Sequence, residues 1–454
     1  MELRGKRVLV VGLAKTGEAV CRFLLGRGAR VTVVDKDPLE KLGRKAVRWR
    51  ERGVRVIGGS QELKHFLAAD LVVPSPGVPP IPELAAAQSK GVPVLSELEL
   101  ASRYLRGTLV GITGSNGKST TTTLAFRILA DAGRTAFLAG NIDRPLISFV
   151  HRSRPDHVYI TEVSSFQLNY TETFKPAVSA LLNVSINHLD WHGSFEQYLA
   201  AKKKMLHNQD AGDAAVLNRD DPRVWPLREV GPFETYGFSR RRALGRGCYV
   251  RDGKVVLAEP GTAVRELMPL AEIPLPGAHN WENVMAAALI ARRLGVGPAR
   301  IRRTVKTFHG LEHRLERVLS LRGVLFINDS KATTVDATIK ALESFGGGVV
   351  VILGGKDKGA DFTLLRRPLR NRVKRVILLG QAKDKIRSAL EGSVPLLEAA
   401  DLRQAVRLGF EAAGRGGIVL LSPACASFDM FKNFEDRGRA FKREVRRLAE
   451  RMRR

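Results

Sequence analysis

Residues 111–120 read GITGSNGKST. The apolar stretch TLVGIT (108–113) predicts a strand, the glycines a turn, and the residues from about Lys118 to Ala132 a helix. In that order of elements, backbone N–H groups and a helix N-terminus surround phosphate oxygens. The strict P-loop spelling fails, because Ile112 stands where its first glycine belongs, but the compact form G-S-N-G-K-S-T remains. Gly114, Ser115, Asn116 and Gly117 would form the cradle, Lys118 would neutralise the terminal phosphates, and a hydroxyl from Ser119 or Thr120 would complete the shell of a Mg²⁺ ion. Such a loop names the fuel and leaves the task open.

A second glycine turn, VGLAKTG, follows the apolar run RVLVV at residues 7–11. Ala14 occupies the place where a dinucleotide fingerprint needs glycine to admit a pyrophosphate, while Asp35 ends the next strand, VTVVD, where a ribose-binding acid belongs. A β-carbon at position 14 crowds a tightly held pyrophosphate. This disfavours a nicotinamide-dependent dehydrogenase and tolerates a uridine diphosphate approaching differently.

These turns need a scaffold, and the chain supplies alternating β-rich and helical segments, the pattern of parallel sheets covered by helices. At 454 residues it exceeds a single core. We expect an α/β protein of three domains: 1–106, Rossmann-like; 107–311, a P-loop ATPase-like parallel sheet; and 312–454, Rossmann-like. Strands are expected at HVYITEV (157–163), AVSALLNV (177–184), AAVLN (214–218), GVLFIND (323–329), GVVVILGG (348–355), RVILLG (375–380) and GIVLLSP (417–423), whereas residues 219–275 fit no clear pattern.

The net charge of +28 would suit a nucleic-acid-associated NTPase, but its arginine-rich pieces are scattered and lack interleaved aromatics, so solvated basic faces are the expectation. Cys21, Cys248 and Cys425 share no disulfide or metal spacing, and no apolar run approaches the ~20 residues of a membrane span. A cytoplasmic, monomeric protein without membrane or nucleic-acid partners is expected.

TGSNGKST, GNI (140–142), EVSSFQL (162–168), NVSINHLDWHGS (183–194), YLAAKKK (198–204), PGAHNWEN (276–283), EHR (312–314), NDSKAT (328–333) and LGGKDKGAD (353–361) occur in this order and together resemble the Mur ligases. Within that family, VGLAKTG and the ending SPACASFDMFKNFEDRG (422–438) are similar to the branch that joins D-glutamate to a uridine-nucleotide-linked muramoyl-L-alanine. A sister ligase or a folylpolyglutamate synthase would keep the chemistry and change the amino acid.

The resemblance implies amide-bond formation from ATP through an acyl phosphate, with two Mg²⁺ ions. It gives Lys118 the β/γ-phosphates, Ser119 and Glu162 the first Mg²⁺, and His188 the second. It identifies Lys202 as a lysine that reacts with CO₂ to form a carbamate and so becomes a metal ligand, with Lys203 as the rival register. Asn141 is assigned to the ATP phosphates, Asn283 to adenine, Asp329 and Lys331 to ribose, and Arg314, with His313 beside it, to the γ-phosphate. Thr333, Lys358, Ser427 and Phe434 are implied for D-glutamate, and Thr16, Asp35, Ser75 and Gly77 for the uridine nucleotide. Because these ATP residues come from two domains, closure on ligand binding is expected. The chain departs from the family at Ser115, where threonine is frequent, and at Trp191-His192, where an Arg-Tyr pair is common.

Overall fold

The computed structural model describes residues 1–185, 189–357 and 359–452, apart from the side chains of Leu189 and Asp190. The chain forms two compact units, Met1–Glu272 with Trp281–Val305, and Ile273–Asn280 with Lys306–Arg454.

The first unit holds two sheets. The N-terminal sheet comprises β1 (Arg7–Val11), β2 (Arg30–Asp35), β3 (Arg55–Gly58) and β4 (Leu71–Pro74), all parallel in the order β3-β2-β1-β4. β1 is buried along Val8–Val11, as a valine-rich strand covered on both faces must be. Gly12 takes φ +90° and leads to the helix Lys15–Gly26, where Gly17 is required because a β-carbon would strike the carbonyl of Gly12.

The larger sheet runs through β5 (Thr108–Thr113), β6 (Ala136–Gly140), β7 (Val158–Glu162), β8 (Val178–Leu181), β9 (Ala214–Asn218), β10 (Glu234–Ser239), β11 (Gly247–Arg251), β12 (Lys254–Ala258) and β13 (Arg265–Pro269). Their order is β13-β12-β11-β10-β9-β8-β5-β7-β6. β5 lies between β7 and β8, so the loop that leaves its C-terminal end opens where connections diverge to either side, the place where open α/β sheets bind ligands. Residues 219–275, unassigned from sequence, contribute the short strands β10–β13, the last three antiparallel to one another.

The two sheets share one core, in which Val8, Val10 and Leu24 cluster with Leu146, Tyr159 and Phe174. Glu99, fully buried, binds them further, accepting from the N–H groups of Glu172 (3.0 Å) and Phe174 (2.9 Å), from Thr173 Oγ1 (2.6 Å) and from Arg103 Nε (2.7 Å). These donors hold its carboxyl below the ordinary range although burial acts the other way.

The second unit carries β14 (Glu316–Leu321), β15 (Val324–Asn328), β16 (Val349–Gly354), β17 (Val373–Leu379), β18 (Leu396–Glu398) and β19 (Ile418–Leu421), ordered β14-β15-β19-β16-β17-β18. All neighbours are parallel except β14 against β15. The closing helix Phe434–Arg451 buries Ala440, Phe441, Val445 and Ala449 on one stripe and gives its arginines to solvent, apart from Arg437.

Candidate active site

The turn after β5 is held by the segment that follows β8. Ser115 N–H donates to Asn183 O (2.8 Å), and Asn116 N–H donates to Asn183 Oδ1 (2.8 Å) while Asn183 Nδ2 returns a bond to Asn116 O (3.1 Å). Ser115 Oγ bonds to Ser185 O (3.1 Å) and meets Tyr198 OH (2.9 Å). The serine in place of threonine therefore keeps the hydroxyl that anchors the loop. Gly117 caps the helix Lys118–Asp131 at φ +83°, and a β-carbon there would run into Asn283 Oδ1. Asn283 Oδ1 also accepts from Thr121 Oγ1 (3.2 Å), so the residue expected at adenine stands against the base of the phosphate turn. Asn183 and Tyr198 belong to this site without having been singled out from sequence.

Lys118 Nζ donates to Gly114 O (2.8 Å) and Ser115 O (3.1 Å), folding over its own turn. Ser119 and Thr120, both buried, fill the first turn of the helix. One strand away, Glu162 ends β7 opposite Ile112 of β5 and Gly140 of β6. Its Oε1 accepts from Asn141 Nδ2 (2.8 Å), and its Oε2 is buried with no partner among the described residues. A buried carboxylate oxygen left open, at the end of the strand next to the one that leads into the phosphate turn, fits a hard oxygen-seeking cation such as Mg²⁺. Asn141 thus orients the carboxylate.

Three successive lysines follow Ala201 on the helix Phe195–His207, and burial separates them. Lys203 is exposed, and Lys204 donates to Asn169 O (2.7 Å). Lys202 is 1% exposed and donates to Gly114 O (3.1 Å) and Thr113 Oγ1 (3.3 Å), with its Nζ 4.7 Å from the centroid of the Tyr198 ring. It pairs with no carboxylate among the described residues. Burial first, and the Lys118 ammonium second, push its pKa well below the ordinary lysine value. Two lysines therefore share one carbonyl oxygen, and burial works against the charged form of one of them.

On the N-terminal sheet, Asp35 Oδ2 accepts from Leu13 N–H (2.7 Å) and Oδ1 from Asp37 N–H (3.0 Å), so this acid braces both adjoining turns. Each oxygen retains a second lone pair for a ligand. Thr16 lies half-buried in the first turn of the helix Lys15–Gly26, Ser75 Oγ donates to Gly12 O (3.1 Å), and Gly77 is exposed. Trp191 Nε1 donates to Val78 O (3.2 Å) in the same SPGVPP turn, and His192 Nε2 meets Ser165 Oγ (2.9 Å). His188 lies outside the described residues.

The second unit gathers its expected site residues at the C-terminal ends of β15 and β19. Asp329 is buried, with Oδ1 accepting from Leu315 N–H (3.1 Å) and Oδ2 from Ser422 Oγ (2.9 Å); burial pushes its pKa up to about 7. His313 and Leu315, at φ +65° and +43°, flank Arg314 in a left-handed turn that costs non-glycine residues energy. Asn328 Nδ2, donating to His313 Nδ1 (2.9 Å) and Glu316 Oε2 (2.9 Å), holds that turn, and Arg314 Nε is buried without a partner among the described residues. Lys331 Nζ is 5.8 Å from the Phe434 ring centroid, Thr333 is half-buried in the same loop, and Ser427 is buried after β19. Lys358 lies outside the described residues.

Arg437, which sequence reasoning passed over, joins these loops. Its guanidinium is buried and donates to Ser330 Oγ (3.0 Å), Ser330 O (2.9 Å), Cys425 O (3.1 Å from each Nη) and Ala426 O (3.3 Å). A buried arginine bonded to backbone carbonyls on two separate loops positions both. Its place in an amphipathic arginine-rich helix gave no local signal.

Comparison with known proteins agrees with this assembly. The family descriptions "Mur ligase MurD-like, N-terminal domain", "Mur ligase middle domain" and "Mur ligase, glutamate ligase domain" match residues 6–96, 112–291 and 313–425. The UDP-N-acetylmuramoylalanine–D-glutamate ligase of Acidobacterium capsulatum is 47% identical over 444 residues, 97% of this chain and 96% of its own. The protein of that name from Koribacter versatilis is 45% identical over 451 residues, 99% of both chains. The crystal structure of a UDP-N-acetylmuramate-alanine ligase from Thermotoga maritima shares the fold, with a TM-score of 0.60 at 16% identity over 98% of this chain and 100% of that one. With its phosphate turn after β5 and three α/β sheets built as described, the chain belongs to the Mur ligase family.

Proposed function

We propose that this chain is a cytoplasmic, monomeric ATP-dependent ligase that adds D-glutamate to UDP-N-acetylmuramoyl-L-alanine in peptidoglycan precursor synthesis. The names of its relatives at 45–47% identity support the substrates. The observation that carries the reading is Lys202, a buried amine that donates to Gly114 O of the phosphate turn and pairs with no acid among the described residues, together with the open carboxylate oxygen of Glu162 at the end of the neighbouring strand β7.

A carboxylate resists attack by an amine because resonance deactivates its carbonyl and oxide is a poor leaving group. Transfer of the γ-phosphoryl group of ATP to the acceptor's terminal carboxylate gives an acyl phosphate and ADP. The amine of D-glutamate then adds to that carbon, and phosphate leaves as the amide forms. Mg²⁺, when bound, would offset the repulsion between the two anions.

Ser119 and Glu162 would hold the first ion, with Asn141 fixing the carboxylate, and His188 would serve a second. Lys118, by giving up its bonds to Gly114 O and Ser115 O, would bind the β/γ-phosphates through the turn built by Gly114, Ser115, Asn116 and Gly117, with Thr120 in the same first helical turn. Lys202, whose ammonium form is disfavoured by burial and by Lys118, would attack CO₂ as the amine, lose a proton and become a carbamate able to ligate metal. Asn283 would meet adenine, Asp329 and Lys331 the ribose, and Arg314 the γ-phosphate. Thr16, Asp35, Ser75 and Gly77 would hold the uridine nucleotide on residues 1–106. Thr333, Lys358, Ser427 and Phe434 would receive D-glutamate on residues 312–454, and residues 107–311 would bind ATP.

The test is phosphate release by the purified chain given UDP-muramoyl-L-alanine and ATP with either enantiomer of glutamate. Release is expected with the D form. Release only with another amino acid overturns the substrate, and stimulation of hydrolysis by DNA or RNA with none by the acceptor overturns the reaction.

A further inference from the structure

The indole of Trp191 is engaged on two sides. Its N–H donates to Val78 O across 113 residues of chain. Its ring packs against Phe166 (centroids 4.8 Å), His192 (4.5 Å) and, edge-on, Tyr170 (6.4 Å). Together with Pro74, Ser75 and Val78, the rings of Trp191, Phe166 and Tyr170 line a narrow groove between the end of β4 and the segment after β7. Tyr170, with Trp191 and Val78 packed beside it, belongs to the core on one face of the N-terminal sheet.

The turn that Trp191 grips is stiff. Pro76, Pro79 and Pro80 fix φ at three of its positions, and Val78 N–H closes it on Ser75 O (2.9 Å). A stiff turn moves as a piece: Ser75 ties its start to Val11 O and Gly12 O, and Trp191 holds it again at Val78. The next residue, His192, holds Ser165, three positions beyond Glu162. Adjacent side chains of the short helix Leu189–His192 thus reach both the turn bearing Ser75 and Gly77 and the segment continuing from the metal-binding carboxylate.

We propose that Trp191 is a positioning residue for the nucleotide-sugar acceptor: through Val78 it sets the distance of the SPGVPP turn from the Glu162 segment. The inference rests on the function proposed above. A nucleotide anchored at its uridine end must present its carboxylate at the phosphate turn, and an error at the anchor is carried along the whole molecule.

The experiment measures UDP-muramoyl-L-alanine binding by calorimetry and the KM of each substrate, for the full-length wild type and Trp191→Phe, which retains a ring and loses the N–H. Loss of one hydrogen bond should raise the acceptor Kd and KM by about tenfold. The KM values for ATP and D-glutamate should stay near those of the wild type. Trp191→Arg, which supplies another donor, should fall between the two and serves if the phenylalanine variant fails to fold. Equal acceptor binding by wild type and variants overturns this inference alone, as does a fall in kcat with every KM unchanged, the mark of a lost active fraction. Absence of acceptor binding by the wild type overturns the functional reading and this inference with it.

Discussion

Lys202 in the first unit and Arg437 in the second are both buried cations, 1% and 2% exposed, and neither forms an ion pair among the described residues. Arg437 spends its donors on a serine hydroxyl and three carbonyl oxygens, from Ser330, Cys425 and Ala426. Burial lowers its pKa only to about 10, so it keeps its charge at neutral pH. Lys202 has two acceptors, shares one of them with Lys118, and is pushed well down by burial and by that neighbour. A buried cation that is fully hydrogen-bonded fastens loops, whereas one with fewer acceptors and a second ammonium close by is pushed away from its charged form.

The largest effect should come from the other lysine of that pair. Lys118→Ala removes the charge expected at the phosphates and should lower kcat by about a thousandfold or more in the phosphate-release assay. Loss under tenfold would place the phosphates elsewhere. Lys202→Ala should cost about a hundredfold, with partial recovery on adding short carboxylic acids that replace the carbamate oxygens. Carbon-13-labelled CO₂ should give a carbamate resonance in wild type that Lys202→Ala lacks.

Arg437→Met tests the opposite side of the comparison. It strands carbonyls on two loops and should destabilise the second unit by about 3 kcal/mol in urea unfolding, with no rescue by carboxylic acids. A change below about 1 kcal/mol would mean that water replaces the guanidinium and that the loops stand without it.

A buried acid offers a third case. Glu97 accepts from Ile147 N–H (2.6 Å), its Oε2 has no partner among the described residues, and burial raises its pKa from 4.5 to about 7. The folded chain then holds this proton where the unfolded chain has lost it. The stabilisation is full below pH 4.5 and is lost as pH rises through about 7. It amounts to on the order of 3 kcal/mol, and Asp329, raised from 3.8 to about 7, contributes with the same sign. Glu97→Gln should flatten the decline in stability across that window to the share of Asp329; an unchanged slope would show that Glu97 titrates normally. The smallest effect belongs to Lys203→Ala, whose side chain is exposed: turnover and the carbamate resonance should stay as in wild type.

Much of the fold was legible because buried parallel strands are short apolar runs. TLVGIT and AAVLN are strands over the expected residues, and the helix after the phosphate turn ends within one residue of expectation. Residues 219–275 were not legible, since β10–β13 are short, partly exposed and mostly antiparallel, and no uniform apolar run marks them. The phosphate turn announced itself through glycine and lysine. Asn183, Tyr198 and Arg437 did not, because an amide, a phenol or a guanidinium acquires its role only when the fold brings distant backbone to it. Three lysines in a row looked alike in sequence, and burial beside Gly114 is what distinguishes Lys202. Asp35 was expected at a ribose, and its carboxylate also shapes the turn it would serve.

The central claim is that the acceptor carboxylate is phosphorylated before the amine attacks. It is tested most directly by labelling both carboxyl oxygens of UDP-muramoyl-L-alanine with oxygen-18 and following one turnover by mass spectrometry of the released phosphate. The account predicts one labelled oxygen in each phosphate formed with D-glutamate; phosphate free of label would contradict it.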